Sequence, residues 1–261
     1  KETGIMGVMV LLLYAHSHGS PNRTQQKAKL GILYAWFILV LVIRVSMNGG
    51  KPTFSKLDNP LLETVDINTL YVNCNAFFLL LSPSIMCADY SGFDPGDASL
   101  FGRRVLVTIC ATLLIGVLAL RAARSSRIKL AFLWLTVPYI PAMNIFVRVG
   151  FVIAERTLYT SSIGWAQLVA YFLNRGMEAQ HNGLRTFSRL TTTLLFLVFS
   201  AQTTLRNADW HTNGRLWSAE VQYCNATARA FNNLGKAYQR QGKLEDAKIA
   251  FVRAIEQEPL F

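Results

Sequence analysis

The sequence predicts an all-α protein in which a polytopic membrane domain is followed by the first part of a helical-repeat solenoid. Three observations support this fold class. Hydrophobic residues form 52% of the 261 residues and charged residues only 16%, whereas soluble domains average about 25% charged residues. Apolar runs of the membrane-helix type alternate with short polar loops. The last part of the chain has the spacing of a helix-pair repeat.

Six apolar runs approach the length of about 20 residues that a helix needs to cross a bilayer. They cover residues 3–15, 30–43, 105–120, 130–142, 160–172 and 190–205. Flanking Lys and Arg side chains can extend such runs by reaching the headgroups. The uncharged run 67–88 could also span, but Asn68, Asn73 and Pro83 within it favour a re-entrant or interfacial helix on the luminal side.

The charge of the loops predicts how these runs are oriented across the membrane. Loops 16–29, 121–129 and 174–189 are rich in Lys and Arg, and even numbers of crossings separate them. Since basic loops face the cytosol, all three are assigned to that side. The N-terminus, the loop 46–104, the stretch 138–159 and the tail after Arg206 then face the lumen. The net charge of +11 is explained by these loops, so nucleic acid is not an expected partner.

The tail contains a tetratricopeptide repeat over residues 228–261, and a capping helix or linker over 207–227 joins it to the membrane domain, 1–206. The matching positions are Phe231, Leu234, Gly235, Tyr238, Ala247, Phe251, Ala254 and Pro259. Gly235 and Ala247 let two antiparallel helices approach closely. One repeat cannot bury its own face, so we expect further repeats after Phe261 and read the chain as an internal piece of a longer protein. The groove residues would be Asn232, Asn233 and Lys236.

Charged residues interrupt the apolar sequence at 138–159, where Arg148, Glu155 and Arg156 occur. A charge at membrane depth costs about 2.5–3.5 kcal/mol. One interpretation is a helix end whose Arg reaches the headgroups, and the other is a site for an anionic, lipid-borne substrate. Transfer from such a substrate leaves a phosphate, which an Arg guanidinium binds through two parallel hydrogen bonds.

Cysteines, histidines and glycosylation acceptors give weaker predictions. Cys74 and Cys87 either form a disulfide in an oxidising lumen or stay apart, and the spacing does not choose between these outcomes. His16 and His18 lack an acidic or Cys partner, so no metal site is predicted. Of the two N-glycosylation acceptors, only Asn225 would be luminal and available for modification.

Four short stretches, together with the repeat, carry a resemblance to a known family. They are K-E-T-G-I at 1–5, F-S-K-L-D-N-P at 54–60, C-A-D-Y-S at 87–91, and G-F-V-I-A-E-R-T-L-Y at 150–159 followed by Ser162-x-Gly164. In this combination the chain resembles the transmembrane and tetratricopeptide-repeat-containing O-mannosyltransferases of the endoplasmic reticulum. Ser161 departs from the Pro that the family commonly has, and Arg148 stands where a small or apolar residue is commoner.

The resemblance implies a multi-helix membrane glycosyltransferase of the C type, multi-pass in the endoplasmic reticulum membrane with luminal repeats. Its donor substrate would be dolichyl-phosphate mannose, with no further cofactor, and its acceptors would be Ser and Thr hydroxyls of cadherin-type domains. The catalytic carboxylate would precede Lys1. Within this chain, the donor phosphate would be bound by Arg156, Lys1 and Tyr159. Glu155 and Glu2 would orient those cations, and Asp89 and Tyr90 are candidates for acceptor or sugar binding.

Two other classes of function stay open at this point. The first is a non-enzymatic membrane adaptor that binds protein partners through its repeats. The second is a solute transporter with a soluble domain, which is disfavoured because the apolar runs show neither an internal duplication nor a pair of interrupted helices.

Overall fold

The computed structural model describes residues 2–17, 23–47, 54–55, 59–61, 66–81, 86–92, 101–224 and 226–259. These residues form α-helices and one 3-10 segment, Val137–Ala142. In chain order the helices are α1 Glu2–Ser17, α2 Arg23–Met47, α3 Ile67–Leu81, α4 Phe101–Arg124, α5 Ser126–Thr136, α6 Glu155–Met177, α7 Asn182–Asp209, α8 Asn213–Tyr223, α9 Ala228–Arg240 and α10 Leu244–Gln257. The all-α class is therefore confirmed.

Every predicted apolar run is helical, and most of the helices extend beyond the runs into polar residues. The run 130–142 is divided between α5 and the 3-10 segment, because Pro138 and Pro141 lack the N–H that an α-helix requires. In the run 67–88, residues Ile67–Leu81 form α3, and the described residues 86–88 are not helical. None of the helices in the described ranges combines the length and the apolar character that a bilayer crossing needs.

Helices α5 and α6 approach each other closely at Gly164. A Cβ atom on Gly164 would lie 2.2 Å from the backbone nitrogen of Leu135 and 2.3 Å from the carbonyl oxygen of Ala131. The contact is supported by an apolar cluster that includes Ile128 and Leu168. Only a glycine allows this spacing, so the Ser162-x-Gly164 motif has a packing role.

Buried amides fix the segment that leads into α6. Asn59 is fully buried, and its Nδ2 donates hydrogen bonds to Asn144 Oδ1 at 2.9 Å and to the carbonyl oxygen of Val149 at 2.8 Å. Its Oδ1 accepts from the N–H of Leu61 at 2.9 Å. Asn144 adopts φ 56°, in the left-handed region that Asn tolerates better than most residues. Asn59 therefore shapes a turn, and the segment it holds sets the position of Glu155 at the start of α6.

The last two helices form the predicted repeat. Residue Gly235 on α9 faces Phe251 on α10, and a Cβ atom there would lie 2.7 Å from the Phe251 ring. Ala247 is buried in the same contact. The side chain of Thr227 accepts a hydrogen bond from the N–H of Ala230 and so caps α9. Helix α8 packs against α9, within the range predicted for a capping helix.

Candidate functional site

A disulfide joins the segment 86–92, called here the disulfide loop, to the end of α8. It pairs Cys87 with Cys224, which are 137 residues apart in the sequence. The alternative of a Cys74–Cys87 bridge is therefore wrong. Cys74 is a buried free thiol in α3, and its Sγ faces the carbonyl oxygen of Thr108 on α4, so it points into a helix contact.

Glu220 on α8 binds the backbone of the disulfide loop. Its side chain is 2% exposed and accepts hydrogen bonds from the backbone N–H of Ala88 at 2.6 Å and of Asp89 at 3.4 Å. Asp89 accepts from the N–H and the hydroxyl of Ser91, and it lies 3.8 Å from Arg229 on α9. The loop is thus attached to α8 and α9 by a disulfide, hydrogen bonds and an ion pair.

Glu155, the first residue of α6, contacts the same loop. Tyr90 donates a hydrogen bond from its hydroxyl to Glu155 Oε1 at 2.6 Å, and the Tyr90 oxygen accepts from the N–H of Cys87 at 3.2 Å. Burial raises the pKa of Glu155, while the Tyr90 bond and the charge of Arg206 oppose that rise. Burial also raises the pKa of Glu220, against the loop N–H groups and Arg206. We call Glu155, Glu220 and Tyr90 the carboxylate cluster.

A cleft of about 570 Å³, the Arg206 cleft, lies at the end of α7. It is lined by Met86, Phe199, Gln202, Thr203, Leu205, Arg206, Asn207, Asp209, Trp210 and Tyr223. Arg206 Nη1 donates to Asp209 Oδ2 at 3.2 Å, and the guanidinium lies 5.8 Å from the centre of the Trp210 ring. Among the described residues, Arg206 Nε and Nη2 and Gln202 Oε1 are buried and have no hydrogen-bond partner.

The two described residues that were predicted to bind the donor phosphate are exposed. Arg156 is exposed, and its guanidinium lies 5.4 Å from the centre of the Phe151 ring. Tyr159 is 78% exposed, one turn after Glu155. Lys1 lies outside the described residues, and Glu2 begins α1 but its side chain is not described. Glu155, which was predicted to orient these cations, accepts a hydrogen bond from Tyr90.

The remaining predicted residues lie around α8 and α9. Asp89 and Tyr90 occur together in the disulfide loop, where both side chains are engaged by protein groups. Asn232 and Asn233 are half-buried and Lys236 is exposed on α9. Asn225 lies outside the described residues. These placements leave the predicted roles as predictions.

Sequence reasoning missed Arg206, Glu220 and the partner of Cys87. A signal was present for Arg206 and for the partner of Cys87. Arg206 follows the last apolar run, with Gln202 one turn before it, so a cation at the end of a membrane-type helix was visible. Cys87 and Cys224 both fall on the predicted luminal side, where a disulfide is stable. Glu220 gives no signal of this kind, because only folding brings it to the loop.

Comparison with known proteins supports both parts of the chain. The tetratricopeptide repeat family model matches residues 228–260. The chain is 31% identical over 242 residues to the protein O-mannosyl-transferase Tmtc3 of Drosophila melanogaster, covering 87% of this chain and 26% of that protein. It is 30% identical over 246 residues to human protein O-mannosyl-transferase TMTC3, covering 90% of this chain and 27% of that protein. The chain is a relative of the protein O-mannosyl-transferases.

A further relative, a protein O-mannosyl-transferase of Caenorhabditis elegans, is 32% identical over 273 residues and aligns with 100% of this chain. The resemblance drawn from the four motifs and the repeat is thus confirmed. The chain spans about a quarter of the length of the first two relatives and 38% of the third. No solved structure matches the chain.

Proposed function

We propose that the protein transfers mannose from dolichyl-phosphate mannose to Ser and Thr hydroxyls of secretory proteins such as cadherin-type domains. The observation that carries this proposal is the similarity of 87–90% of the chain to proteins named protein O-mannosyl-transferases. The tetratricopeptide repeat at 228–260 adds a surface of the kind that binds polypeptides.

The reaction exchanges one bond at C1 of mannose for another and transfers one proton. The acceptor hydroxyl oxygen attacks C1 of mannose, the bond between C1 and the phosphate oxygen breaks, and dolichyl phosphate leaves. The hydroxyl proton passes to a general base, the carboxylate that the resemblance places ahead of Lys1. Negative charge grows on the phosphate, and fixed positive charge in a partly dry site stabilises it most. In this chain Arg156, Lys1 and Tyr159 are the proposed ligands of that phosphate, with Glu155 and Glu2 orienting them.

The placement in the endoplasmic reticulum membrane, with luminal repeats, is also a proposal. Large apolar side chains are exposed along three helices, and clustered exposed apolar surface marks contact with lipid or protein; examples are Ile32 and Trp36 on α2, Leu113 on α4, and Leu190 and Phe196 on α7. The disulfide loop, the start of α6, the end of α7 and α8 lie together. All four were assigned to the lumen by the charge of the loops.

The repeat is the proposed surface for protein acceptors or partners. Stacked helix pairs form a concave groove suited to a polypeptide, and Asn232, Asn233 and Lys236 on α9 are the proposed groove residues. The attachment of the disulfide loop to α8 and α9 supports this proposal, because it joins the repeat to the segment that carries Tyr90. An acceptor held by the repeats would then be delivered next to the membrane part.

The test uses the full-length protein, purified in detergent, with dolichyl-phosphate mannose and a cadherin-type domain. Mannose on Ser or Thr is detected by mass spectrometry. We expect transfer by the wild type and a loss in Arg156→Ala at unchanged thermal stability, with the exposed Arg189→Ala as matched control. Equal transfer by Arg156→Ala would keep the enzyme and contradict the assignment of Arg156.

The alternative function is a non-enzymatic membrane adaptor, which the repeat favours because repeats of this kind bind polypeptides. This function predicts that the acceptor domain is captured by the wild type while no mannose is transferred. It also predicts that Arg156→Ala leaves capture unchanged. Capture without transfer in the full-length protein would therefore replace the enzymatic proposal with the adaptor.

A further inference from the structure

A polar pocket of about 340 Å³ lies at the end of α6 that is opposite to Glu155. We call it the basic pocket, and it is formed by residues 125–127 at the start of α5 and by Tyr171, Asn174, Arg175 and Glu178 near the end of α6. Helix α6 has 23 residues, so at about 1.5 Å per residue its two ends lie about 33 Å apart. The basic pocket is therefore separate from the carboxylate cluster and from the proposed donor residue Arg156.

The side chains that line this pocket suit a phosphate ester that also carries hydroxyl groups. Arg127 and Arg175 are exposed, so their donors are accessible to a ligand, and in the described part of the chain neither forms an ion pair. A guanidinium binds phosphate oxygens through two parallel N–H groups. Glu178 is the acidic residue of the lining, and its Oε1 accepts a hydrogen bond from Asn174 Nδ2 at 2.7 Å. The same carboxylate and the Tyr171 hydroxyl can accept hydrogen bonds from ligand hydroxyls.

Further basic residues surround the pocket. Glu178 is the one acidic residue of the segments 121–129 and 174–189, which also contain Arg121, Arg124, Lys129, Arg185 and Arg189. The positive charge of these two segments assigned both of them to the cytosolic side of the membrane. Basic pockets between membrane helices on that side are typical binding sites for the headgroups of anionic lipids.

Exposed apolar side chains follow the basic residues on α4 and α7. Leu120, which is 73% exposed, lies one turn before Arg124 at the end of α4, and Leu190, which is 66% exposed, follows Arg189 on α7. A free phosphate or a nucleotide would leave this apolar surface uncovered, whereas the acyl chains of a phospholipid would cover it. The combination of a basic pocket with apolar helix surfaces beside it therefore favours a phospholipid over a soluble phosphate ester.

We infer that the basic pocket binds an anionic phospholipid with a hydroxyl-bearing headgroup, of the phosphatidylinositol type. Arg127 and Arg175 bind its phosphate, Glu178 and Tyr171 bind its headgroup hydroxyls, and its acyl chains lie along the exposed apolar surface of α4 and α7. The inference rests on the proposed membrane placement. It goes beyond the proposed reaction, because the pocket lies at the opposite end of α6 from the proposed donor residues.

The experiment titrates the full-length protein, purified in detergent, with phosphatidylinositol and measures the bound lipid by native mass spectrometry. The variant with Arg127→Gln and Arg175→Gln should raise the Kd about ten- to hundredfold, the loss typical of hydrogen bonds to a charged group. The matched control carries Arg121→Gln and Arg189→Gln, which remove the same charge from exposed residues of the same two segments. The control should bind like the wild type, and the thermal midpoints of both variants serve as folding controls.

Three results would overturn the inference. Wild-type affinity in the folded pocket variant would show that the pocket is not the binding site. An equal loss in the pocket variant and in the control would show a general attraction to the basic surface. Competition by water-soluble glycerophosphoinositol as effective as competition by the intact lipid would show a site for a soluble phosphate ester.

Mannose transfer, measured on the same preparations, separates this inference from the proposed enzyme. Lipid binding that depends on Arg127 and Arg175 in a protein that transfers no mannose would support the pocket and contradict the enzyme. Mannose transfer without such binding would do the reverse. A full-length protein that stays in solution without detergent and binds no phosphatidylinositol would contradict both the membrane placement and the lipid site.

Discussion

The pairing of Cys87 with Cys224 gives the sharpest prediction about stability. Replacing both residues with Ser removes the covalent link between the disulfide loop and α8, while the contacts of the loop with Glu220, Arg229 and Glu155 remain. The bridge closes a loop with a separation of 137 residues, for which a flexible-chain treatment gives about 5 kcal/mol. Residual structure in the denatured chain shortens the flexible length of this loop. We therefore expect about 2–4 kcal/mol, the range usual for native disulfides.

The assay has two parts. Digestion of the full-length protein without reductant, followed by mass spectrometry, should recover one cross-linked peptide that contains Cys87 and Cys224. Thermal unfolding in detergent should then show a lower midpoint for Cys87→Ser with Cys224→Ser. Cys110→Ser is the matched control, because Cys110 is a free and exposed cysteine, and its midpoint should not change.

Three observations would refute this reasoning. A peptide joining Cys74 to Cys87 would attach the disulfide loop to α3 instead of α8, and Cys74 would then have to leave its buried contact with α4. Alkylation of Cys87 and Cys224 in the folded, unreduced protein would show that the bridge is absent. An unchanged midpoint in the double variant would mean that the hydrogen bonds of Glu220 hold the loop without the disulfide.

Three further predictions concern packing and buried polar groups. Gly164→Ala should lower the unfolding free energy by about 1–3 kcal/mol or more, since its Cβ would meet backbone atoms of α5. Gly116→Ala, where the added Cβ would lie in open space, should not lower it. Equal thermal midpoints for the two variants would contradict the close contact at Gly164. Asn59→Ala should cost at least about 3 kcal/mol in the same assay, because it leaves several buried groups without partners; a loss under 1 kcal/mol would contradict this. Glu220→Leu should be less stable than Glu220→Gln, which keeps an acceptor for the loop. Burial raises the pKa of Glu220 in the folded protein. The unfolding free energy of the wild type should therefore fall, relative to that of Glu220→Gln, as the pH rises from the ordinary carboxyl pKa through the pKa of Glu220 in the folded protein. A difference in unfolding free energy that does not change with pH would contradict the raised pKa.

Local pattern predicted much of the fold. The apolar runs, the prolines at 138 and 141 and the repeat positions act through contacts between near neighbours, and the helices lie where those patterns placed them. The resemblance to the protein O-mannosyl-transferases was also visible in the sequence, since the motifs that carry it are short and contiguous. The Gly235 and Phe251 contact was predictable for the same reason, because a helix hairpin brings these residues together whatever surrounds it.

The candidate site was predictable only in part. Glu155 and Tyr90 were both named from sequence, but their mutual hydrogen bond joins residues 65 positions apart. From sequence, Arg206 was named only as the last residue of the predicted membrane domain. Whether its guanidinium donors have partners depends on which edge of the guanidinium Asp209 occupies and on which residues bury the other edge. Such information does not exist in a local pattern.

The sequence by itself determined the helices and the repeat, because both follow from spacing along the chain, and its short motifs carried the resemblance to the protein O-mannosyl-transferases. The tertiary structure alone decided which cysteine pairs with Cys87, which groups hold the disulfide loop and which cation faces the cleft. These are contacts between segments as far apart as 137 residues. Their energies depend on burial and on hydrogen-bond geometry, and both arise only when the helices pack.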